Sequence, residues 1–170
     1  MKKLLSSILV LCAVLSLVSC SILGPVHSAA PAEFSSNGMT ITLTEKFRET
    51  SYSGYTVCYD SSEAAVFVLK ESFSLQAGLK DETLDWYADL VRQNNSSKSP
   101  SEIAKADGLV SMEYEFYNAQ EDVTYQYYTA MYKGSDAFWL VQFACKKELY
   151  NEYRPHFIKW AQSVDVSSAS

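Results

Sequence analysis

Two stretches of this chain carry apolar residues on both faces: "AAVFVL" at residues 64–69, apolar on consecutive positions, and "AFWLVQFAC" at residues 137–145, interrupted only by Gln142. Successive side chains of a β-strand point to opposite faces, so a strand with this pattern needs apolar cover on both sides. Both stretches therefore belong inside a sheet, and that sheet needs a layer of structure on each face.

Cover comes from helical segments. In "DETLDWYADLVRQNN", Leu84, Tyr87, Ala88 and Val91 recur at helical spacing, and Asp81 and Glu82 suit the positive end of a helix that closes at Asn94-Asn95. Asp85 and Asp89, at i and i+4, read as its solvated stripe and not as a cation site. In "KELYNEYRPHFIKWAQSV", Leu149, Tyr153, Phe157, Trp160 and Val164 share a second helical face. Pro155 lacks an N–H and clashes with the preceding turn, so the regular helix is expected to begin near it after an irregular start.

The remaining strands alternate. "MTITLTEKF" opens the domain, "YTVCYD" follows, and Ser61-Ser62 turns the chain into residues 64–69. Beyond the polar loop "SSKSPS", Asp107-Gly108 sits between two alternating runs, a strong hairpin signal. A second hairpin turns near "NAQED". Pairing Phe116 with Tyr125 places Met112, Tyr114, Phe116, Tyr125, Tyr127 and Met131 on one face, expected to be core. Glu113, Glu115, Tyr117, Gln126, Tyr128 and Tyr132 then share the opposite face. No internal repeat emerges.

Ahead of the domain, Lys2 and Lys3 precede about 14 mostly apolar residues, short for a membrane span and suited to a signal peptide. Leu17-Val18-Ser19-Cys20 resembles the lipobox of bacterial lipoproteins at all four positions. The resemblance implies removal of residues 1–19, a diacylglycerol thioether on Cys20, and anchoring at the extracytoplasmic face of the cell membrane, since several acyl chains exceed the marginal grip of one. Residues 20–38, broken by Pro25, Pro31 and Gly38 and without sustained periodicity, are expected to form a flexible tether with a reach of roughly 24 Å. His27 would be a solvated residue of that tether. The domain proper is then expected at 39–166, with 167–170 as a tail.

The order of elements resembles the Mog1/PsbP-like family. The features that match are "GMTITLTEKF", the "TLDWYADLV" helix, the Asp107-Gly108 hairpin with its acidic-aromatic strand, and "HFIKWAQSVDV". It implies an α+β fold, an antiparallel sheet sandwiched between helices, over roughly residues 38–166. Members include a nuclear-transport cofactor, a photosystem extrinsic subunit and many bacterial lipoproteins of unknown role, so the fold carries no function across, and noncatalytic protein association is an analogy with what these members share.

The chemistry visible in the residues agrees. Fourteen basic against twenty acidic residues give a charge of −6, and loss of Lys2 and Lys3 takes it to −8, which disfavours nucleic acid. There is no GxSxG, GxxxxGK[ST], HExxH or CxxC motif, and His156 is the single histidine of the expected domain. It reads more simply as a surface or helix-end residue than as a general base. Neither a metal nor a cofactor is expected. Cys58 and Cys145 both fall in strands, and two readings stay open: a disulfide, permitted outside the cytoplasm, or two buried thiols.

The leading expectation is thus a lipid-anchored, noncatalytic binding or accessory domain at the cell envelope. Its candidate surface is Glu113, Glu115, Tyr117, Gln126, Tyr128 and Tyr132, because tyrosine supplies rigid amphipathic rings to recognition surfaces. The competing reading of that face is a helix lying over it, with the tyrosines as core rim. The alternatives for function are a structural envelope lipoprotein with no specific ligand and, less simply, a hydrolase built around His156.

Overall fold

The structure, a computed structural model, describes residues 25–75, 77–95 and 100–167. The expected signal peptide, Cys20, most of the "SSKSPS" loop and the end of the tail lie outside the described residues. The elements are β1 (Pro31–Ser36), β2 (Met39–Thr44), β3 (Arg48–Thr50), β4 (Val57–Asp60), β5 (Ala64–Ser72), α1 (Leu84–Asn94), β6 (Ala104–Ala106), β7 (Leu109–Asn118), β8 (Val123–Lys133), β9 (Ala137–Lys146) and α2 (Tyr150–Gln162).

Seven strands form an antiparallel sheet in the order β3-β4-β5-β9-β8-β7-β6. The two stretches apolar on both faces lie side by side at its centre as β5 and β9, paired from Ala64↔Cys145 to Ser72↔Ala137. Asp107 and Gly108 both take positive φ, 57° and 77°, and close the β6–β7 hairpin across Ala106↔Leu109. That is the left-handed geometry a two-residue loop requires of its central pair. β7 and β8 pair with Phe116 opposite Tyr125, the register expected from the alternation.

The two faces are covered differently. Thr83 caps α1, its Oγ1 accepting from Trp86 N–H at 3.1 Å. Tyr87 and Ala88 of α1 then pack on Met112, Met131 and Phe138, and the Tyr87 and Phe138 rings stack at 4.4 Å. The alternate residues Val66, Val68, Val141 and Phe143 meet Tyr153, Phe157 and Trp160 of α2, together with Ile41 and Leu43 of β2. β2 pairs with β1 in a separate two-stranded sheet, which shares cover of that face with α2.

Two expectations are corrected and one open alternative is decided. The segment expected as tether contains a 3-10 turn at Val26–Ser28 and then β1, which pairs with β2 along its whole length. The physical reason is local: Asn37 and Gly38 take φ of 56° and 90° and fold the chain back, and Phe34 turns inward to lie 5.0 Å from Tyr59. Helix α2 starts at Tyr150, five residues before Pro155. Proline removes a bond to the carbonyl four residues back, that of Asn151, which is exposed and open to water. Cys58 and Cys145 are free thiols. Cys58 pairs with Phe67 and Cys145 with Ala64, three positions apart on β5, so the two cysteines project from opposite faces of the sheet.

Candidate functional site

Eleven residues of α1 span about 16 Å, whereas seven strands spaced about 4.8 Å apart make a sheet about 29 Å wide. α1 sits over β7, β8 and β9 and reaches β5 only at its end, where Tyr87 donates to Glu71, and among the described residues no other helix covers the Cys58–Phe67 part of that face. Its cover is aromatic. Tyr52 and Tyr55, from the segment between β3 and β4, stand 5.8 and 5.1 Å from Phe67 on β5. Phe67 lies 6.5 Å from Tyr127, which stacks on Tyr114 at 4.7 Å. Phe116, 46% exposed, adds to this patch of partly exposed rings.

These residues line two cavities of about 680 and 550 Å³ that meet at Phe116 and Tyr127. Each has the size of a ligand site. Together they form a groove running from Asp60 and Glu121 at one end to Leu90 and Asn94 of α1 at the other.

The charge of the groove is carried by carboxylates. Tyr52 donates to Asp60 Oδ2 and Tyr125 to Glu121 Oε2, each at 2.6 Å. Those bonds push both phenols above their ordinary 10, and burial raises Tyr127 to about 12. The phenols therefore stay neutral near pH 7. The first cavity carries Asp60, Glu63, Glu121 and Glu148 against Lys146.

The face expected to carry recognition divides. Tyr128 is buried, and Tyr132 donates to the Ala161 carbonyl of α2 at 2.7 Å. Glu113 accepts from Tyr150 and Arg154 of α2, and Glu115 pairs with Lys147. At Glu113, Tyr128 and Tyr132 the face lies against α2, as the competing reading has it, whereas Glu115 is exposed. Gln126 is half-buried, and Tyr117 is exposed with its hydroxyl on Asp122. The face expected to be core is core only at Met112 and Met131; farther along, Tyr114, Phe116, Tyr125 and Tyr127 line the groove.

His27 is not a solvated tether residue. Its ring stacks on His156 at 4.2 Å and its Nε2 lies 2.7 Å from Glu152 Oε1. The backbone N–H of Val26 donates to Glu63 Oε2 at 3.0 Å, and Tyr153 also donates to that oxygen. Burial, then the neighbouring His27 and Lys159, hold His156 below its ordinary 6.5. Neither cavity is lined by His156. Burial pushes the Cys145 thiol up to about 12 and raises Cys58 as well, which keeps both from forming the thiolate a nucleophile needs.

Tyr52, Tyr55 and Phe67 escaped sequence reasoning. "SYSGY" offered one signal, two tyrosines around a glycine next to a strand, but nothing local says which face they will cover. β1 had a clearer marker in Asn37-Gly38 between Ser36 and Met39.

Fold and groove define the class: an α+β domain built on an antiparallel sheet with an open, aromatic, acid-rimmed half-face. No family model matches the chain, and no curated protein does. Among solved structures the chain is similar to PsbP (CyanoP) from Synechocystis sp. PCC 6803, at 11% identity and a TM-score of 0.53 over 86% of this chain and 98% of that one. It is also similar to a protein of Bacteroides thetaiotaomicron VPI-5482, at 10% identity and a TM-score of 0.50 over 78% of this chain and 47% of that one. The protein has a PsbP-like fold.

Proposed function

We propose that this protein is a noncatalytic accessory module, an α/β/α sandwich of the Mog1/PsbP-like kind, anchored through lipidated Cys20 at the extracytoplasmic face of the cell membrane. It binds a partner protein through the groove over β5 and β8. The observation that carries the binding reading is the exposed aromatic lining: Tyr52, Tyr55 and Phe116 are 46%, 40% and 46% exposed on one continuous surface. Clustered rings left in water are a recurrent mark of an interaction site. The high pKa of both thiols and the engagement of His156 with His27 favour binding over hydrolysis.

A photoreactive phenylalanine analogue at position 116, in membranes of the native cell, should give a discrete crosslinked species that the same analogue at position 117 on the opposite face does not. Equal labelling from both positions, or none from 116, would favour a spacer without a ligand. The anchor has its own test. Cys20→Ser should release the protein from membranes and abolish lipid labelling; unchanged fractionation and labelling would refute lipidation at Cys20.

A further inference from the structure

We infer that the groove receives a lysine- or arginine-bearing segment of the partner, a deepening that rests on the binding reading above. Three features converge on a cation. The first is the flanking of the rings by acids: Asp60 and Glu121 each hold a tyrosine hydroxyl of the groove, at Tyr52 and Tyr125, so their negative charge sits against ring edges. The second is the exposure of Tyr52, Tyr55 and Phe116, aromatic rings of the kind that attract a positive group within about 6 Å of the centroid. The third is the balance of charge along the first cavity, where Lys146 is the one basic lining residue against Asp60, Glu121 and Glu148, with Glu63 held by Val26 and Tyr153. An anionic segment would be repelled by these carboxylates, and a strictly apolar one would take them out of water with only single tyrosine hydroxyls on Asp60 and Glu121 as partners.

The shape argues for a chain and not a small amine. Two cavities joined at Phe116 and Tyr127 offer about 680 and 550 Å³, and one alone would already hold a small ligand. The aromatic floor suits the aliphatic stems of lysine or arginine, and guanidinium groups also stack on rings.

The probe is a dye-labelled tetra-arginine peptide, titrated against the mature chain by anisotropy, with tetra-glutamate as control. Tetra-arginine should bind, tetra-glutamate should not, and added salt should weaken the complex. Glu121→Gln combined with Glu148→Gln removes two exposed rim charges and should weaken binding about three- to tenfold, whereas Lys146→Glu should tighten it. Glu33→Gln with Glu45→Gln, on exposed residues away from the groove, should leave it unchanged, and Phe116→Ala should weaken it without any change of charge. Equal weakening by the Glu33/Glu45 pair, indifference to Phe116→Ala, or binding of tetra-glutamate would overturn the assignment. A position-116 crosslink that persists while tetra-arginine fails would sink the cationic segment alone. Loss of both would sink the binding reading with it.

Discussion

Phe157 and Phe116 are the same residue type put to opposite uses. Phe157 has no exposed surface and meets Phe143, Tyr153 and Trp160 at centroid distances of 5.6, 5.6 and 5.8 Å. Phe157→Ala should cost about 3–5 kcal/mol in urea unfolding, while Phe116→Ala should change stability by less than about 0.5 kcal/mol and act on binding alone. A second residue-scale effect concerns protons. His156 faces His27 from the Val26–Ser28 turn and Glu152 and Lys159 from its own helix, and its folded pKa lies below the ordinary 6.5. The fold then prefers the neutral imidazole. That contribution is complete above about pH 6.5 and is lost as pH falls through the lower folded value. His156→Gln should flatten this part of the stability profile. It should spare the loss at lower pH from Glu63, whose carboxyl is held below its usual 4.5 chiefly by the Tyr153 hydroxyl. Denaturation midpoints at about pH 7.5, 5 and 3.5 would separate the two; parallel profiles for wild type and variant would refute the histidine contribution.

At the scale of elements, legibility followed the strength of local rules. Asp107-Gly108 and the Phe116↔Tyr125 register were readable because turn chemistry and two-residue alternation agree there. β1 was not, because "PAEFSS" carries only Ala32 and Phe34 as apolar residues and the strand is completed by β2 and Tyr59. The start of α2 is not legible locally, because proline's propensity argues for a later start while the burial of Tyr150 and Tyr153 holds the first turn in place. Of the site, Phe116, Tyr125 and Tyr127 were placed together on one face but read as core. The part that was missed depends on how far α1 reaches across the sheet, a length no local pattern states. The corrected boundary has a consequence for truncation. A chain beginning at Gly38 would lose β1, the buried Val26 and the Val26–Glu63 bond. It should unfold about 2–4 kcal/mol more easily than one beginning at Pro25, from the uncovered area of Ile41, Leu43 and Tyr59. Equal stability would mean the hairpin adds nothing to the core.

For the whole molecule, one face of the sheet is closed by α2 and the β1–β2 hairpin and the other is closed only in part, so the fold is asymmetric by construction. The buried side supplies stability, and the open side is left for recognition. The asymmetry also has a direction relative to the start of the chain. Val26 is tied to Glu63, and Glu63 stands on the rim of the groove. On the proposed attachment at Cys20, four residues lie between the lipidated residue and Pro25, a leash of at most about 18 Å over its five Cα–Cα steps even when fully extended. The groove could not then patrol the volume of the envelope. It would skim a shell of lipid-proximal space, meeting partners by diffusion in two dimensions and selecting those whose basic segments emerge close to the bilayer.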